Sequence, residues 1–598
     1  MKKISLFIAL ALLLSSPVTA QNTPVTKSNY QLAERFSAPK VQKMVYSRDV
    51  KPVWLKDGKS FWYAYQTSQG VTCYLVDCQK ETKKLLFDHV DMAAKLSAIT
   101  GDPMEAKNLK ISGIKFENDG KSFQFEVKSN KEIDKKLSKS EQKKETEKKA
   151  KLEKEGKKYE APKPKKEKKT FYFNYNLASG KLSELVDYEK KKQYPAWASV
   201  SPDGKIAVFS KNYNLYYMDS ANLAKAVEDS KDSTIVEHQI TTDGVDGFGY
   251  GKDTDNMTEE EIAKFPKERY NPYIVWSPDS KHFALLKSDV KMLKKLWVIN
   301  SVADPRPTLE SYRYQMPGED SPITYLMVFN TDTKKGQTIN ISEYKGQMVD
   351  IMTPQRKQSA MYDYYTPSVW MGGNDFFYIS RTSRDHQRQD MNRVDLTKGT
   401  VSVVSKTEMN VSLEERGLYM LAGGKRHIVR SERDGWAHYY LYNSDGTLKN
   451  QITKGEYHAD ALVGVDEKAG VMYFSAYGVV PDENPYYEHL CSVNLDGSDL
   501  KVLNKGNYHF VSNMNDDQSF FVSTYSRVDT APVSALYNSK GKKIMELEVA
   551  DLSTLMASGY KFPERFVVKA ADGITDLYGV MYKPFDFDST KLYPIIEY

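Results

Sequence analysis

Ser201-Pro202-Asp203-Gly204-Lys205-Ile206-Ala207-Val208-Phe209, running on to Asn214-Leu215-Tyr216-Tyr217-Met218-Asp219, is the stretch that decides the fold. An Asp-Gly turn precedes a β-branched and aromatic run, and a second such run ends at an Asp. Gly accepts positive φ without strain, so Asp-Gly between two apolar runs reads as a hairpin turn.

The same unit recurs along the chain. Lys56-Asp57-Gly58-Lys59 leads into Ser60-Phe61-Trp62-Tyr63-Ala64-Tyr65, and Cys73-Tyr74-Leu75-Val76-Asp77 follows. Further copies start at Asn118-Asp119-Gly120, Trp276-Ser277-Pro278-Asp279, Gly373-Asn374-Asp375, Ala422-Gly423-Gly424, Asp466-Glu467-Lys468 and Asn515-Asp516-Asp517. With the Ser201 copy that makes eight, and the last three lie about 44 to 49 residues apart. Repeats of that length built from several strands are the signature of propeller blades. The pattern predicts an all-β, eight-bladed β-propeller over residues 46–560, rather than an array of sandwiches. Three wider spacings mark insertions: a Lys-rich run at 131–170, a segment from Gly244 to Pro272, and a segment around Pro305 to Pro322.

Composition agrees with a strand-rich body. Aromatics are 12% of the 598 residues, with 41 Tyr, and such residues favour strands. The length predicts more than one domain. The net charge of +6 does not describe the body. Residues 131–170 hold 17 Lys against 9 Asp plus Glu, and Lys2 and Lys3 add two more charges, so the remainder is mildly acidic. The Lys run is mixed with Glu and has Tyr159 as its one aromatic. It reads as a solvated or partly helical insertion, not a nucleic-acid surface, which calls for Arg and stacking aromatics. Cys73, Cys78 and Cys491 read as small buried thiols rather than a disulfide framework.

Residues 1–20 read as a secretory signal: Lys2 and Lys3, an apolar core from Ile4 to Leu14, and Val18-Thr19-Ala20 before Gln21. This predicts a secreted or periplasmic protein with no membrane span once the signal is removed. Residues 21–45 form an entry segment with a helix near Tyr30 to Phe36. After the last repeat, Phe566-Val567-Val568-Lys569 and Leu577-Tyr578-Gly579-Val580-Met581-Tyr582 read as two strands joined across Ala571-Asp572-Gly573. Tyr593-Pro594-Ile595-Ile596-Glu597-Tyr598 reads as a third strand. Residues 561–598 are thus expected to open a new domain that continues past Tyr598, with apolar strand edges left uncovered.

The order of these features resembles the dipeptidyl peptidase IV branch of the prolyl oligopeptidase serine peptidases. The matching residues are the Ala571-Asp572-Gly573 turn, Leu577-Tyr578-Gly579-Val580-Met581-Tyr582-Lys583-Pro584 and Tyr593-Pro594-Ile595-Ile596-Glu597-Tyr598, together with Met316-Pro317-Gly318-Glu319, Ser431-Glu432-Arg433-Asp434-Gly435-Trp436 and Phe521-Val522-Ser523-Thr524-Tyr525-Ser526. The resemblance implies an eight-bladed propeller followed by the first strands of an incomplete α/β-hydrolase domain. It also implies a Ser-His-Asp triad with the Ser in a Gly-x-Ser-x-Gly elbow. That pattern is absent from the sequence, and the family's triad falls beyond the equivalent of Tyr598. The oxyanion-hole tyrosine also falls past the end, so Tyr598 is not assigned that role. No catalytic residue, cofactor or metal is assigned. The expected function is the substrate-gating, peptide N-terminus-binding part of a secreted serine-type exopeptidase releasing dipeptides. The alternative is a non-catalytic propeller that binds peptides or a protein partner. Peptide substrates are the expected partners, nucleic acid is not, and a homodimer is open to the full-length protein.

Such enzymes hold the substrate's ammonium group with carboxylates. The resemblance points to the region before Trp276, where Glu259 and Glu260 are the candidate substrate-binding residues. They lie further from the Trp than in the family and lack its preceding aromatic. Thr258 followed by Glu261 also reads as a helix capping box, which accounts for the Glu run without function. Asp253 and Asp255 are further candidates. They hint at a calcium loop, but Met257 and the absence of a following Gly argue against an EF-hand. His438 and His458 have no useful partner spacing and are expected to be structural.

Overall fold

The structure is a computed structural model. It describes residues 23–598 except 136, 157, 160, 162–163, 256 and 359–364. The predicted signal at 1–20 lies outside the described residues.

Among the described residues, eight four-stranded sheets follow one another along the chain, each antiparallel. They span residues 53–85, 111–184, 199–239, 275–339, 348–408, 419–451, 458–502 and 509–549. All eight turns read from the sequence precede the second strand of a sheet. In the third sheet, Ser199–Val200 pairs with Ile206–Lys211, which pairs with Asn214–Asp219. The fifth sheet departs from the simple pattern. Its first strand, Met348–Ile351, is far in sequence from its second, Phe376–Thr382, and Gly372 bridges back to Phe377 beside the Gly373 turn.

The sheets bury apolar faces on their sequence neighbours. One cluster joins Leu421, Ile428 and Leu441 of the sixth sheet to Met472, Phe474 and Val493 of the seventh. Others join the first to the second, third to fourth, fourth to fifth, fifth to sixth and seventh to eighth. The last sheet also packs on the first. Trp54, Phe61, Tyr63 and Val76 share a cluster with Val522, Leu536 and Leu547. Trp54 Nε1 donates to Asn513 Oδ1 at 2.7 Å, the Val50 amide to Ser534 Oγ at 3.1 Å, and Tyr63 OH to Glu548 Oε1 at 2.8 Å. Fully burying an aromatic side chain of this kind contributes roughly 1.5–3 kcal/mol.

Neighbouring sheets run the same way. First turns touch at one end: the Asp203 amide donates to Ser280 Oγ, the Ala422 amide to Glu467, and Asn515 Nδ2 to the Gly58 carbonyl. Turns between second and third strands, and the connectors between sheets, meet at the other end. There Arg384 donates to the Glu319 carbonyl, Arg430 to the Ala459 carbonyl, and the Ser68 amide to Asp551.

Among the described residues, the α-helices of six residues or more lie between strands or outside the sheets: α1 Tyr30–Arg35, α2 His89–Thr100, α3 Lys139–Lys154, α4 Ser220–Glu228 and α5 Glu259–Lys264. α1 matches the expected entry helix. α3 sits within the Lys-rich run and starts with a capping box between Ser138 and Glu141. Its Ser140 amide donates to Asp229 at 2.6 Å, tying the insertion to the end of α4. The three cysteines are buried and free. Among the described residues no helix is long and apolar enough to cross a membrane.

Glu564–Lys569 and Asp576–Met581 pair as expected. Val567, Val568 and Leu577 on this hairpin are about half exposed. The expected third strand from Tyr593 does not form. Lys591–Leu592 instead pairs in parallel with Thr23–Pro24, a partner nearly the whole chain away that local pattern could not reveal.

His427 is fully buried between the fifth and sixth sheets and stacks on Tyr442 at 5.4 Å. Neither ring nitrogen has a well-formed hydrogen bond. Burial pushes its pKa from 6.5 down to about 4. Below pH 6.5 the unfolded chain binds a proton that the fold refuses, so stability falls as pH drops from 6.5 to about 4, by about 3 kcal/mol in all. We predict that His427→Phe flattens the dependence of melting temperature on pH in that window while leaving it unchanged above pH 7. Identical acid limbs in variant and parent would contradict this.

Candidate functional site

The connector from the third sheet to the fourth, residues 240–274, is the second predicted insertion and carries every sequence-predicted site residue. It is docked on the turn between the second and third strands of the third sheet. Asn214 Oδ1 accepts from the Gly244 amide at 2.9 Å and from Thr241 Oγ1 at 3.1 Å. The Tyr250 amide donates to the Tyr213 carbonyl at 2.8 Å. Phe265 is buried between Tyr213 and Tyr270, with ring centroids 4.8 and 5.2 Å away. Tyr270 and Ser210 exchange backbone hydrogen bonds that close the far side. Gly244 lies so close to the third sheet that a Cβ there would sit 2.2 Å from the Tyr213 carbonyl oxygen.

Two cations grip the connector, Lys287 from the fourth sheet and Arg313 from the hairpin inserted into it. Lys287, in the strand His282–Asp289, has a side chain only 1% exposed. Its Nζ donates to Asp243 Oδ2 at 2.6 Å and lies 3.5 and 4.0 Å from the ring centroids of Phe248 and Tyr250. Tyr250 OH donates to Asp243 Oδ1 at 3.0 Å. A buried ammonium is costly unless paired, and here a carboxylate and two aromatic faces replace its water. Burial lowers the Lys287 pKa against the opposing pull of Asp243. For Asp243, burial acts to raise the pKa, but the Lys287 and Tyr250 hydrogen bonds prevail and hold it below the ordinary value.

Arg313 closes the inserted hairpin Lys295–Asn300 with Thr308–Arg313. Its side chain is 11% exposed. Nη2 meets Asp246 Oδ2 at 2.5 Å, Nη1 meets Asp255 Oδ1 at 3.1 Å, and the Arg313 amide donates to Asp255 Oδ2 at 3.3 Å. Thr254 Oγ1 donates to Asp246 Oδ1 at 2.9 Å. The Arg313 hydrogen bond holds the Asp246 carboxyl below its ordinary pKa. Between these clamps Gly247 has φ of +74°, and its carbonyl accepts from the Val290 amide at 2.8 Å.

The predicted site residues divide as follows. Glu259 and Glu260 open α5, while their side chains lie outside the described residues. The Thr258–Glu261 capping box forms: Thr258 Oγ1 accepts from the Glu261 amide at 3.3 Å, and Glu261 Oε2 accepts from the Thr258 amide at 2.8 Å. This contact lowers the Glu261 pKa. Asp255 is the ion partner of Arg313. Asp253 Oδ1 accepts from the Asp255 amide at 3.0 Å, as in a turn. Sequence reasoning passed over Lys287 and Arg313. Lys287 shares a face with buried Phe283 and Leu285, and a Lys at such a core-facing position calls for a buried partner. Nothing local marks Arg313.

A second charged cluster lies at the same end of the sheets. Glu414, His458 and Asp460 bring ligand-type atoms within 4.8 Å of one another. Guanidinium groups already occupy this cluster. Arg416 Nη2 contacts Asp460 at 2.8 Å and Glu414 at 3.1 Å, and Arg430 Nη2 contacts Glu414 at 3.1 Å and His458 Nε2 at 2.9 Å. His438, by contrast, is buried against Thr453 Oγ1 and the Gly455 carbonyl, a structural role. The 564–581 hairpin approaches this end too: Arg565 reaches Asp529 Oδ2 at 3.2 Å and Tyr487 OH at 3.3 Å.

The body is mostly β, eight four-stranded sheets among the described residues, with a carboxylate-rich connector at the end that the 564–581 hairpin approaches. The sequence model of the dipeptidyl peptidase IV (DPP IV) N-terminal region matches residues 158–532. The chain belongs to this family. It is 22% identical over 430 residues to a probable dipeptidyl-aminopeptidase B of Coccidioides posadasii, covering 67% of this chain and 43% of that one. It is 22% identical over 453 residues to a dipeptidyl peptidase 4 of Arthroderma otae, covering 71% and 52%. Its fold is similar to that of Porphyromonas gingivalis dipeptidyl peptidase 4, with a TM-score of 0.53 and 17% identity over 95% of this chain and 68% of that one. The chain spans about half the length of these curated relatives.

Gly244→Ala is expected to force the connector off the third sheet, because the new methyl group meets a backbone carbonyl that cannot rotate away. Overpacking of this kind costs about 1–3 kcal/mol. Thermal melting checks it: a clear drop in melting temperature is expected, and an unchanged one would contradict the docking described.

Proposed function

We propose that the eight sheets close into an eight-bladed β-propeller, and that this propeller admits and registers peptide substrates for a serine-type exopeptidase that releases dipeptides. The 240–274 connector is the recognition element. In this reading Glu259 and Glu260, at the start of α5, pair with the free ammonium group of the peptide, and the propeller walls limit access to extended, unfolded chains. The chemistry belongs to a hydrolase domain that residues 561–598 begin. The Lys2–Ala20 pattern supports secretion or a periplasmic location, and N-terminal sequencing of the mature protein from that fraction tests it by a start at Gln21.

The observation that carries this reading is the carboxylate-rich connector held at the end of the sheets that the 564–581 hairpin approaches, in a chain of the dipeptidyl peptidase IV N-terminal family. A carboxylate–ammonium pair is a charge-assisted contact, stronger than a neutral hydrogen bond. Such a contact distinguishes a peptide's amino terminus from an internal amide.

Binding of a fluorescent peptide to the chain is expected to weaken at least tenfold when its amino group is acetylated. Glu259→Gln combined with Glu260→Gln is expected to abolish that difference while leaving the melting temperature within a few degrees. Equal affinity for free and acetylated peptides would contradict the proposal. An unchanged preference in the double variant would remove these two residues from it.

A further inference from the structure

Seven carboxylates crowd the connector between Asp243 and Glu261, against one lysine, Lys252. Like charges at this density repel and disfavour a compact loop. The structure offsets the repulsion from outside the connector, with two nearly buried cations, one from the fourth sheet and one from the hairpin inserted into it. Lys287 neutralises Asp243 from within an aromatic cage, and Arg313 spans Asp246 and Asp255. Asp255 is fixed by both the guanidinium and the backbone amide of the same Arg313, and the first residue of α5 lies four positions beyond it.

We infer that Lys287 and Arg313 are positioning residues for amino-terminus recognition: the two cations hold in fixed register the connector that leads into α5. This inference rests on the proposed role of Glu259 and Glu260.

Three observations support a positioning role over a merely cohesive one. First, the cations bind residues of the connector itself: Phe248 and Tyr250, which form the cage, are connector residues, and Asp255 stands three positions before the Thr258 cap. Second, the connector has its own attachment to the third sheet through Asn214, Tyr213 and Phe265. Docking to the third sheet therefore does not require Lys287 or Arg313, which join the Gly247–Val290 backbone hydrogen bond in tying the connector to the fourth sheet and its inserted hairpin. Third, the partners Asp243 and Asp246 are about half exposed, and Asp255, at 17%, keeps the Arg313 backbone amide as a donor. Removing a cation therefore leaves carboxylates that water or a backbone amide still satisfies, and the local fold loosens.

The test is peptide binding by Lys287→Met and Arg313→Gln, measured with free and N-acetylated versions of one peptide, alongside melting temperature and hydrogen exchange. Each variant is expected to lose at least tenfold in affinity for the free peptide and little for the acetylated one. Exchange should quicken across 243–265 but not in the eight sheets. Arg313→Lys, which retains a charge for one of the two aspartates, should recover part of the loss. If the parent protein discriminates between the peptides and both variants discriminate equally well, the positioning role is overturned while the proposed recognition stands. If the parent itself does not discriminate, the recognition reading fails and this inference with it. Should Lys287→Met not fold, Arg313→Gln alone decides, since Arg313 lies on the inserted hairpin outside the four-stranded sheets.

Discussion

The packing of the last sheet on the first is the constraint on which the rest depends. Residues more than 450 positions apart meet there: Trp54 with Asn513, Val50 with Ser534, and both Tyr63 and Lys83 with Glu548. Lys83 Nζ lies 2.7 Å from Glu548 and 4.2 Å from the Tyr74 ring centroid. Contacts at such separation are slow to form and carry a large loop-closure entropy, so the interface needs a strong apolar component. Phe61, Val76 and Leu536 supply it, each fully buried. The last sheet thus packs on the first as well as on the seventh, and the connectors meet at one end rather than being scattered over the surface.

That arrangement assigns different physics to the two ends. The turns at one end are short and are fixed by neighbouring turns, as at Asp203 and Ser280. The other end carries the insertions, the charged clusters and the hairpin at 564–581. Irregular, charged segments on a rigid scaffold are where recognition generally resides. The 240–274 connector is such a segment, with Tyr250 and Phe265 buried against the third sheet and carboxylates gathered around Lys287 of the fourth sheet and Arg313 of the inserted hairpin. The cluster of Glu414, Asp460, Arg416 and Arg430 repeats the theme between the sixth and seventh sheets, with charges matched among themselves.

Much of the fold was legible in the sequence because its signals are local. A turn needs only four residues, and Asp57-Gly58, Asp203-Gly204 and Asp279-Ser280 each announce one. The Thr258–Glu261 box is a three-residue spacing and appears as read. The cation clamps were not legible, because Lys287 and Arg313 find their partners through the inserted hairpin and the fold-back of the connector. The same reason accounts for the C-terminal segment. Apolar residues from Tyr593 onward suggest a strand, but pairing goes to Lys591–Leu592 with Thr23–Pro24, and no local pattern specifies a partner that distant. Glu259 and Glu260 stood out through the resemblance, and their place at a helix start was already legible in the Thr258–Glu261 spacing.

The central claim is that the connector receives the amino end of a peptide. The most direct measurement is photo-crosslinking with a peptide carrying a photoreactive residue at its second position and a free amino group, followed by mapping of the adducts by mass spectrometry. The account predicts adducts concentrated within residues 243–273, and their loss when excess unlabelled free peptide competes but not when acetylated peptide does. Adducts spread over the outer strands, or placed at the turn end near Asp203 and Ser280, would contradict it.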